Sequence, residues 1–540
     1  MIGSQRRWSL SASASFYVCA AFLTCCLLLG GGTAAGFLSD TLLQFLAIPA
    51  LLVALWGLLN ARHGRPARRA ALFCLAVALV PLLQLVPLPP EIWTALPNRE
   101  AIVATFQLLD REPPWMPISV SPRATWLGAL SLLPPLAVFL GTVLLGLRER
   151  RMLSIVVLAI GVVSVFVGLS QVAQGANSPL RFFEITNPSE AVGFFANRNH
   201  FAALLYSLML FAGAWAVEAA VSAEAGRMQR DTGWIVALVV SFTVLVLLVA
   251  GQAMARSRAG LGLSIVALFG AFAVALCDKR NTSGVTPVKL LVGAIVLAAM
   301  FAAQYALYRI LERFADDPLQ DARVAFARNT IAAAKAFMPF GSGMGTFVPV
   351  YARFERPEDA LLDTYANRAH NDILEVWLEA GVAGLALMAI FVAWLAIRSL
   401  RLWRGAFPGT RDIDLSLARA ATIVVGLLLA HSFVDYPLRT GAMMAILAFA
   451  CALLVDPAIE PEGGAPAEVE RGQERAAFQR AAAAQPLAAA QATEPQQSPQ
   501  LRPGERWGRD VVWPQEWRKP SDRRSQTTPT PPTLPKKPVK

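Results

Sequence analysis

Charge is the scarcest commodity in this chain. Only 16% of its 540 residues are Asp, Glu, Lys or Arg, against about 25% in an ordinary soluble domain. Hydrophobic residues make up 55% and the mean hydropathy is +0.49. Together these exclude a soluble globular protein and predict a polytopic membrane protein. The six cysteines (Cys19, Cys25, Cys26, Cys74, Cys277 and Cys451) all fall inside or at the ends of apolar segments. They show no metal-ligand spacing on a polar loop, which argues against a zinc site or a disulfide framework. The run Gly341, Gly343, Gly345 lacks the following Lys-Ser/Thr of a nucleotide-binding loop, so it reads as a turn where backbones approach closely. No internal repeat is evident. The first apolar run is followed at once by others, so it reads as a span and not as a cleaved leader.

What is present is a series of apolar stretches, each of the ~20 residues needed to cross a bilayer. About twelve meet that criterion. They lie near 14–32, 38–59, 70–87, 124–147, 152–174, 201–221, 233–252, 258–277, 286–308, 372–397, 415–434 and 438–455. The fold class expected is therefore an all-α polytopic membrane protein of about 12 transmembrane helices. Arg and Lys cluster in alternate short loops: Arg6 and Arg7; Arg62, Arg65, Arg68 and Arg69; Arg148, Arg150 and Arg151; Lys279, Arg280 and Lys289; Arg398, Arg401, Arg404 and Arg411. That bias predicts a cytoplasmic location for those loops and for both termini. The net charge of +11 then reports topology rather than nucleic-acid binding.

The opposite side carries 88–123, 175–200, 253–258, 309–371 and 434–438, and is periplasmic if the cell is Gram-negative. Three regions follow. Residues 1–150 hold the first four spans and a Pro-rich extracytoplasmic loop, 88–123, whose Trp93 and Trp115 suit headgroup-level anchors. Residues 151–456 hold the remaining spans and a large extracytoplasmic loop, 309–371. Residues 457–540, rich in Ala, Gln, Pro and basic residues, cannot bury a core and are expected to be a disordered cytoplasmic tail.

The outer side holds ionisable residues that topology does not explain. Arg256 and Arg258 lie in the turn between the seventh and eighth spans, and Arg323 lies in the large loop. Asn197, Arg198 and His200 open the sixth span. His370, one of only four histidines, and Asn371 open the tenth, with Glu375 and Glu379 continuing as a polar stripe. His431, Asp435 and Arg439 lie at the mouth of the last hairpin. A planar, permanently charged guanidinium suits phosphate. Fixed arginines stabilise the charge left when a sugar departs from a lipid diphosphate. A neutral imidazole near an acceptor hydroxyl can take its proton. Structural readings stand beside these: arginines that snorkel to headgroups, an Arg323 paired with Asp321, interfacial Arg198 and His200, and Asn371 as a helix N-cap. The Glu375–Glu379 stripe is expected to line a cavity rather than face lipid.

In order along the chain, several segments resemble the O-antigen ligase and polysaccharide polymerase superfamily of bacterial integral membrane glycosyltransferases. They are Gly193-Phe194-Phe195-Ala196-Asn197-Arg198-Asn199, Ser257-Arg258-Ala259-Gly260, Arg323 followed by Pro339-Phe340-Gly341-Ser342-Gly343-Met344-Gly345-Thr346-Phe347, and Ala369-His370-Asn371-Asp372-Ile373-Leu374 with Gly381. The resemblance covers roughly 150–455. It implies a membrane glycosyltransferase of the inner membrane. The enzyme would move glycan from undecaprenyl diphosphate to an acceptor hydroxyl on the periplasmic face, with no metal or other cofactor. It implies Arg258, Arg323 and His370 as catalytic residues. Arg256, Asn197, Arg198, Asn371 and Glu375 are the substrate-binding candidates. The acceptor (growing glycan, lipid A core or protein) stays open, as do export-protein partners; no nucleic acid is expected. A lipid-linked glycan transporter or flippase, using the same arginines without chemistry, is the alternative.

Overall fold

A computed structural model describes residues 12–33, 38–60, 65–184, 186–229, 233–277, 319–360, 365–405 and 412–456, together with Gly293. The expected span at 286–308 and the expected tail at 457–540 lie outside the described residues. The chain is mostly helical, as the apolar runs require. Among the described residues, nine helices are long and apolar enough to cross a membrane, and two shorter apolar helices accompany them.

The order is α1 (Ala12–Leu29), α2 (Leu38–Asn60), α3 (Arg65–Gln84), two short helices α4 (Pro90–Trp93) and α5 (Glu100–Leu108), α6 (Pro122–Leu130), α7 (Leu133–Val143) and α8 (Leu147–Gln174). There follow α9 (Arg198–Gln229), α10 (Gly233–Ala255), α11 (Arg258–Leu276), α12 (Leu319–Ala336), α13 (Phe347–Phe354), α14 (Asp372–Arg404), α15 (Asp412–His431) and α16 (Gly441–Leu454). The expected fourth span is thus two helices, with a break at Ser131–Leu132 before the Pro134–Pro135 pair, which cannot continue a regular hydrogen-bond ladder.

Helix α9 is the centre of the bundle. Every residue from Phe201 to Ala214 is buried, and α8, α10, α11, α15 and α16 pack around it. A helix apolar on all sides belongs in such a position.

The two ends of the bundle are distinguishable by their contacts. At one end, Arg150 bonds carbonyls of α7 and α16, Arg151 pairs with Asp414, and Arg419 reaches Leu402 and Cys277. At the other end the segments expected on the outer side meet. Val120 N–H donates to Ser342 O, Ser342 N–H to Leu378 O, Ala191 N–H to Met254 O, and Asp372 N–H to Ser432 O, all at 2.9–3.1 Å.

The loop after α3 has a core of its own. Pro87 pairs with Pro117 and Leu88 with Met116 in a two-stranded ladder. Trp93 is fully buried, its indole N–H donates to Pro114 O at 2.8 Å, and Phe106 meets it edge-on. The expectation that Trp93 anchors at the headgroups is therefore wrong: the ring is consumed in folding the loop. Trp115 is exposed.

The glycine run behaves as the close-approach turn expected. Gly341, Gly343 and Gly345 have φ of +78°, +113° and +76°, and a Cβ on each would meet Glu379 O, Ser119 Oγ or Ala124 O within 2.7 Å. This turn seats against α14 where α14 itself breaks, at Gly381 (φ +56°, ψ −143°). The positive-φ glycines let the two backbones touch, and Gln84 staples the junction by donating to Glu379 O at 2.9 Å and accepting from Met344 N–H at 3.0 Å.

Candidate functional site

Three of the chain's four histidines gather at the end of the bundle opposite Arg150, around one carboxylate, Asp435. His370 comes from the segment before α14, His200 from the first turn of α9, and His431 from the last turn of α15. Asp435 follows α15, its N–H donating to His431 O at 3.0 Å.

His370 is the most constrained of them. Its φ is +49°, a region that non-glycine residues enter rarely and usually at functional sites. The strain is held in place on both sides. Asn371, the next residue, caps α14 by accepting from Ile373 and Leu374 N–H, both at 3.0 Å, and its amide donates to Phe433 O. The imidazole of His370 places Nδ1 3.1 Å from Asp435 Oδ1. Phe326 stacks on its face at 5.8 Å and Tyr436 meets it edge-on at 4.8 Å. An imidazole whose Nδ1–H donates to a carboxylate leaves Nε2 with its lone pair free.

Asp435 is 1% exposed. Its second oxygen, Oδ2, accepts from Asn199 Nδ2 at 2.6 Å. Burial works to raise this carboxyl, but the His370 hydrogen bond and the fields of His200, His370 and His431 outweigh it. The group is held well below the usual carboxylate range. Burial and the neighbouring Asp435 charge push the Tyr436 phenol up to about 12, so it stays a neutral hydroxyl.

The other two imidazoles are fully buried. His431 shares Nδ1 with Tyr206 Oη at 3.1 Å, while its Nε2 has no hydrogen-bond partner among the described residues. His200 leaves both ring nitrogens unpartnered among them and sets its ring against Tyr436 at 4.9 Å. Buried polar atoms are nearly always paired, so this concentration marks a site not built for stability alone.

Arg323 belongs to the cluster. It lies one turn before Phe326 on α12, hence on the face that meets His370, and its field acts on His431. Its Nε is buried without a hydrogen-bond partner among the described residues. Arg258 opens α11 behind the N-cap Ser257, whose Oγ accepts from Gly260 N–H at 3.0 Å. Gly260 lies against Ala202 of α9, two residues beyond His200. Arg256, just before, is a second strained residue with φ of +49°.

Other candidates have structural partners. Asn197 accepts from Asn199 N–H at 2.8 Å and so caps α9. Arg198 pairs with buried Glu190 at 2.6 Å. Glu375 and Glu379, fully buried, do not line an open cavity as expected. Arg439 reaches Glu379 at 2.9 Å and lies 3.4–3.5 Å from Asp372 and Glu375, while Arg368 binds Glu375 at 2.9 Å. Burial disfavours the Arg439 charge, yet the three carboxylates more than reverse this and raise its proton affinity.

Beside this network lies a cavity of about 480 Å³. Arg368, Asp372, Ser432 and Arg439 are among its polar lining residues, and Val77, Val80, Leu387 and Met388 among its apolar ones. Phe73 and Phe391, stacked at 6.4 Å, also line it. Asp435 and Asn199 were the least legible members in the sequence. Neither belongs to a short motif with His370, from which they are separated by 65 and 171 positions.

Residues 229–389 match the model of the O-antigen ligase family. Among curated proteins no match is found. The matched stretch includes Arg256, Arg258, Arg323, His370, Asn371 and Glu375 and leaves out His200, His431 and Asp435, so the cluster reaches beyond it. The described apolar helices make the chain a multi-pass membrane protein, and its stretch 229–389, similar to the O-antigen ligase family, supports a role of ligase or polymerase type.

Proposed function

We propose that the protein is a glycosyltransferase of cell-surface polysaccharide assembly. It would take glycan from undecaprenyl diphosphate and join it to an acceptor hydroxyl on the periplasmic face of the inner membrane. The observation that carries this reading is the His370–Asp435 pair, set at the same end of the bundle as Arg323.

With Nδ1–H donated to Asp435, the Nε2 of His370 takes the proton from the acceptor O–H. The acceptor oxygen forms its bond to the anomeric carbon. The bond from that carbon to the diphosphate oxygen breaks, and its electron pair stays on the diphosphate. Arg323 and Arg258 stabilise the charge that develops there, without metal. The N-termini of α9 and α11 at this end add positive helix-dipole character. The apolar walls of the cavity beside Arg368 suit part of an aliphatic lipid chain. General-base catalysis contributes about 10²–10⁴-fold, so losing the imidazole should be nearly total in a cell.

The test is glycan assembly in a deletion strain complemented with His370→Ala, with membrane levels of the protein verified. Accumulation of unpolymerised or unligated lipid-linked glycan is expected, and the size of the accumulated species separates polymerase from ligase. Normal assembly would contradict the reading and favour transport without chemistry.

A further inference from the structure

The first turn of α9 touches the His370–Asp435 pair in two places. Asn199 Nδ2 donates to Asp435 Oδ2 at 2.6 Å. That leaves Oδ1 as the oxygen that meets His370 Nδ1. A carboxylate bound at one oxygen cannot rotate freely, so the direction in which the other oxygen points is fixed. Asn199 itself is fixed, because its N–H donates to Asn197 Oδ1 and α9 is the buried centre of the bundle.

The second contact is through rings. Tyr436 lies edge-on between two imidazoles, His370 at 4.8 Å and His200 at 4.9 Å. The plane of His370 is thus set by Phe326 on its face, by Tyr436 on its edge and by Asp435 at Nδ1. Two of these three supports are braced by adjacent residues of α9. Both residues lie outside the stretch that matches the family model.

We infer that Asn199 and His200 are positioning residues. Asn199 holds Asp435 so that His370 keeps its Nδ1–H tautomer and its free Nε2, and His200 braces the imidazole through Tyr436. This rests on the proposed role of His370 as base, and groups acting through one another couple strongly.

Two measurements on the full chain in lipid nanodiscs test it. The first is transfer kinetics with lipid-linked glycan recovered from the deletion strain. Asn199→Ala is expected to lower kcat by roughly 10–100-fold with donor KM little changed, because orientation and not binding is lost. In an Asp435→Asn background the same substitution is expected to have little further effect. An unchanged kcat, or an equal loss in both backgrounds, would overturn the role of Asn199. His200→Ala should lower kcat by about tenfold and His200→Phe should restore most of it, since the ring is what braces Tyr436. Failure of Phe to restore kcat while folding is intact would overturn the bracing role.

The second measurement does not need activity. ¹⁵N chemical shifts of labelled histidine, assigned to His370 with a His370→Gln control, report which ring nitrogen carries the proton. A dominant Nδ1–H form in the wild type that becomes mixed in Asn199→Ala supports the inference. The same tautomer in both proteins overturns it. If the tautomer responds to Asn199 while the wild type transfers no glycan, the positioning role stands and the glycosyltransferase reading fails.

Discussion

Two buried arginines at one end of this molecule, Arg150 and Arg419, do different work from Arg439 and Arg323 at the other. At one end Arg150 is 2% exposed and its guanidinium donates to five carbonyl oxygens, those of Thr142, Val143, Leu145, Ala452 and Val455, at 2.7–3.2 Å. These carbonyls belong to the C-terminal turns of α7 and α16 and to the residues just beyond them, where acceptors have no partner within the helix. The charge also opposes the negative ends of two helix dipoles. Arg419 does the same for Leu402 and Cys277. At the other end the partners are side chains. Arg439 faces three carboxylates, and Arg323 keeps a buried nitrogen without a hydrogen-bond partner among the described residues. Arginine bonded only to backbone closes helices. Arg323 instead keeps hydrogen-bonding capacity beside the strained His370 and near the buried His200 and His431.

Substitutions can break that contrast. The largest effect expected is from Asp435→Asn. It removes the acceptor that fixes His370, and transfer should fall by on the order of 10²-fold while the protein still inserts and purifies. Retention of more than a third of wild-type turnover would contradict this. Arg439→Gln comes next. It leaves Asp372, Glu375 and Glu379 buried without their shared cation, and removing one partner of a buried ion pair destabilises by about 3–5 kcal/mol. A large drop in unfolding temperature in detergent is the readout. Arg150→Met orphans five carbonyls at the other end, and about 2–3 kcal/mol is expected from unsatisfied buried acceptors. Turnover of the folded fraction should stay normal. A specific loss of turnover there would erase the distinction between the two ends.

The pH dependence of stability gives a smaller effect. Asp435 has a folded pKa depressed below its unfolded value near 3.9. Its contribution is fully present above that value and is lost as the pH falls through the folded value. Thermal unfolding between pH 7 and pH 3 should therefore weaken more steeply in the wild type below about pH 4 than in Asp435→Asn. Equal slopes would mean the carboxylate is not charged in the fold. Smallest in turnover is Arg198→Gln, which should change transfer less than threefold while lowering stability by about 3 kcal/mol, because buried Glu190 loses its cation.

The apolar runs made the helices legible, because crossing a bilayer demands a length and a composition that local sequence displays directly. The alternation of arginine-rich loops anticipated which segments meet at each end. His370 was legible because an imidazole at such a boundary is rare. Its partners were not, since Asp435 and Tyr436 meet it, and Asn199 meets Asp435, only after α9 and α15 pack. Trp93 misled for a related reason: an aromatic in a Pro-rich loop looks like an interfacial anchor until the loop is seen to fold around it. The Glu375–Glu379 stripe was rightly placed away from lipid, yet its neutralisation by Arg439 depends on a contact across 60 positions.

The central claim is that His370 acts as a base oriented by Asp435. A double-mutant cycle on purified protein tests it most directly, with transfer measured for the wild type, His370→Ala, Asp435→Asn and the double variant. The account predicts that the double variant is no slower than His370→Ala alone, because Asp435 acts only through that imidazole. Losses that multiply would contradict it and assign Asp435 a separate role.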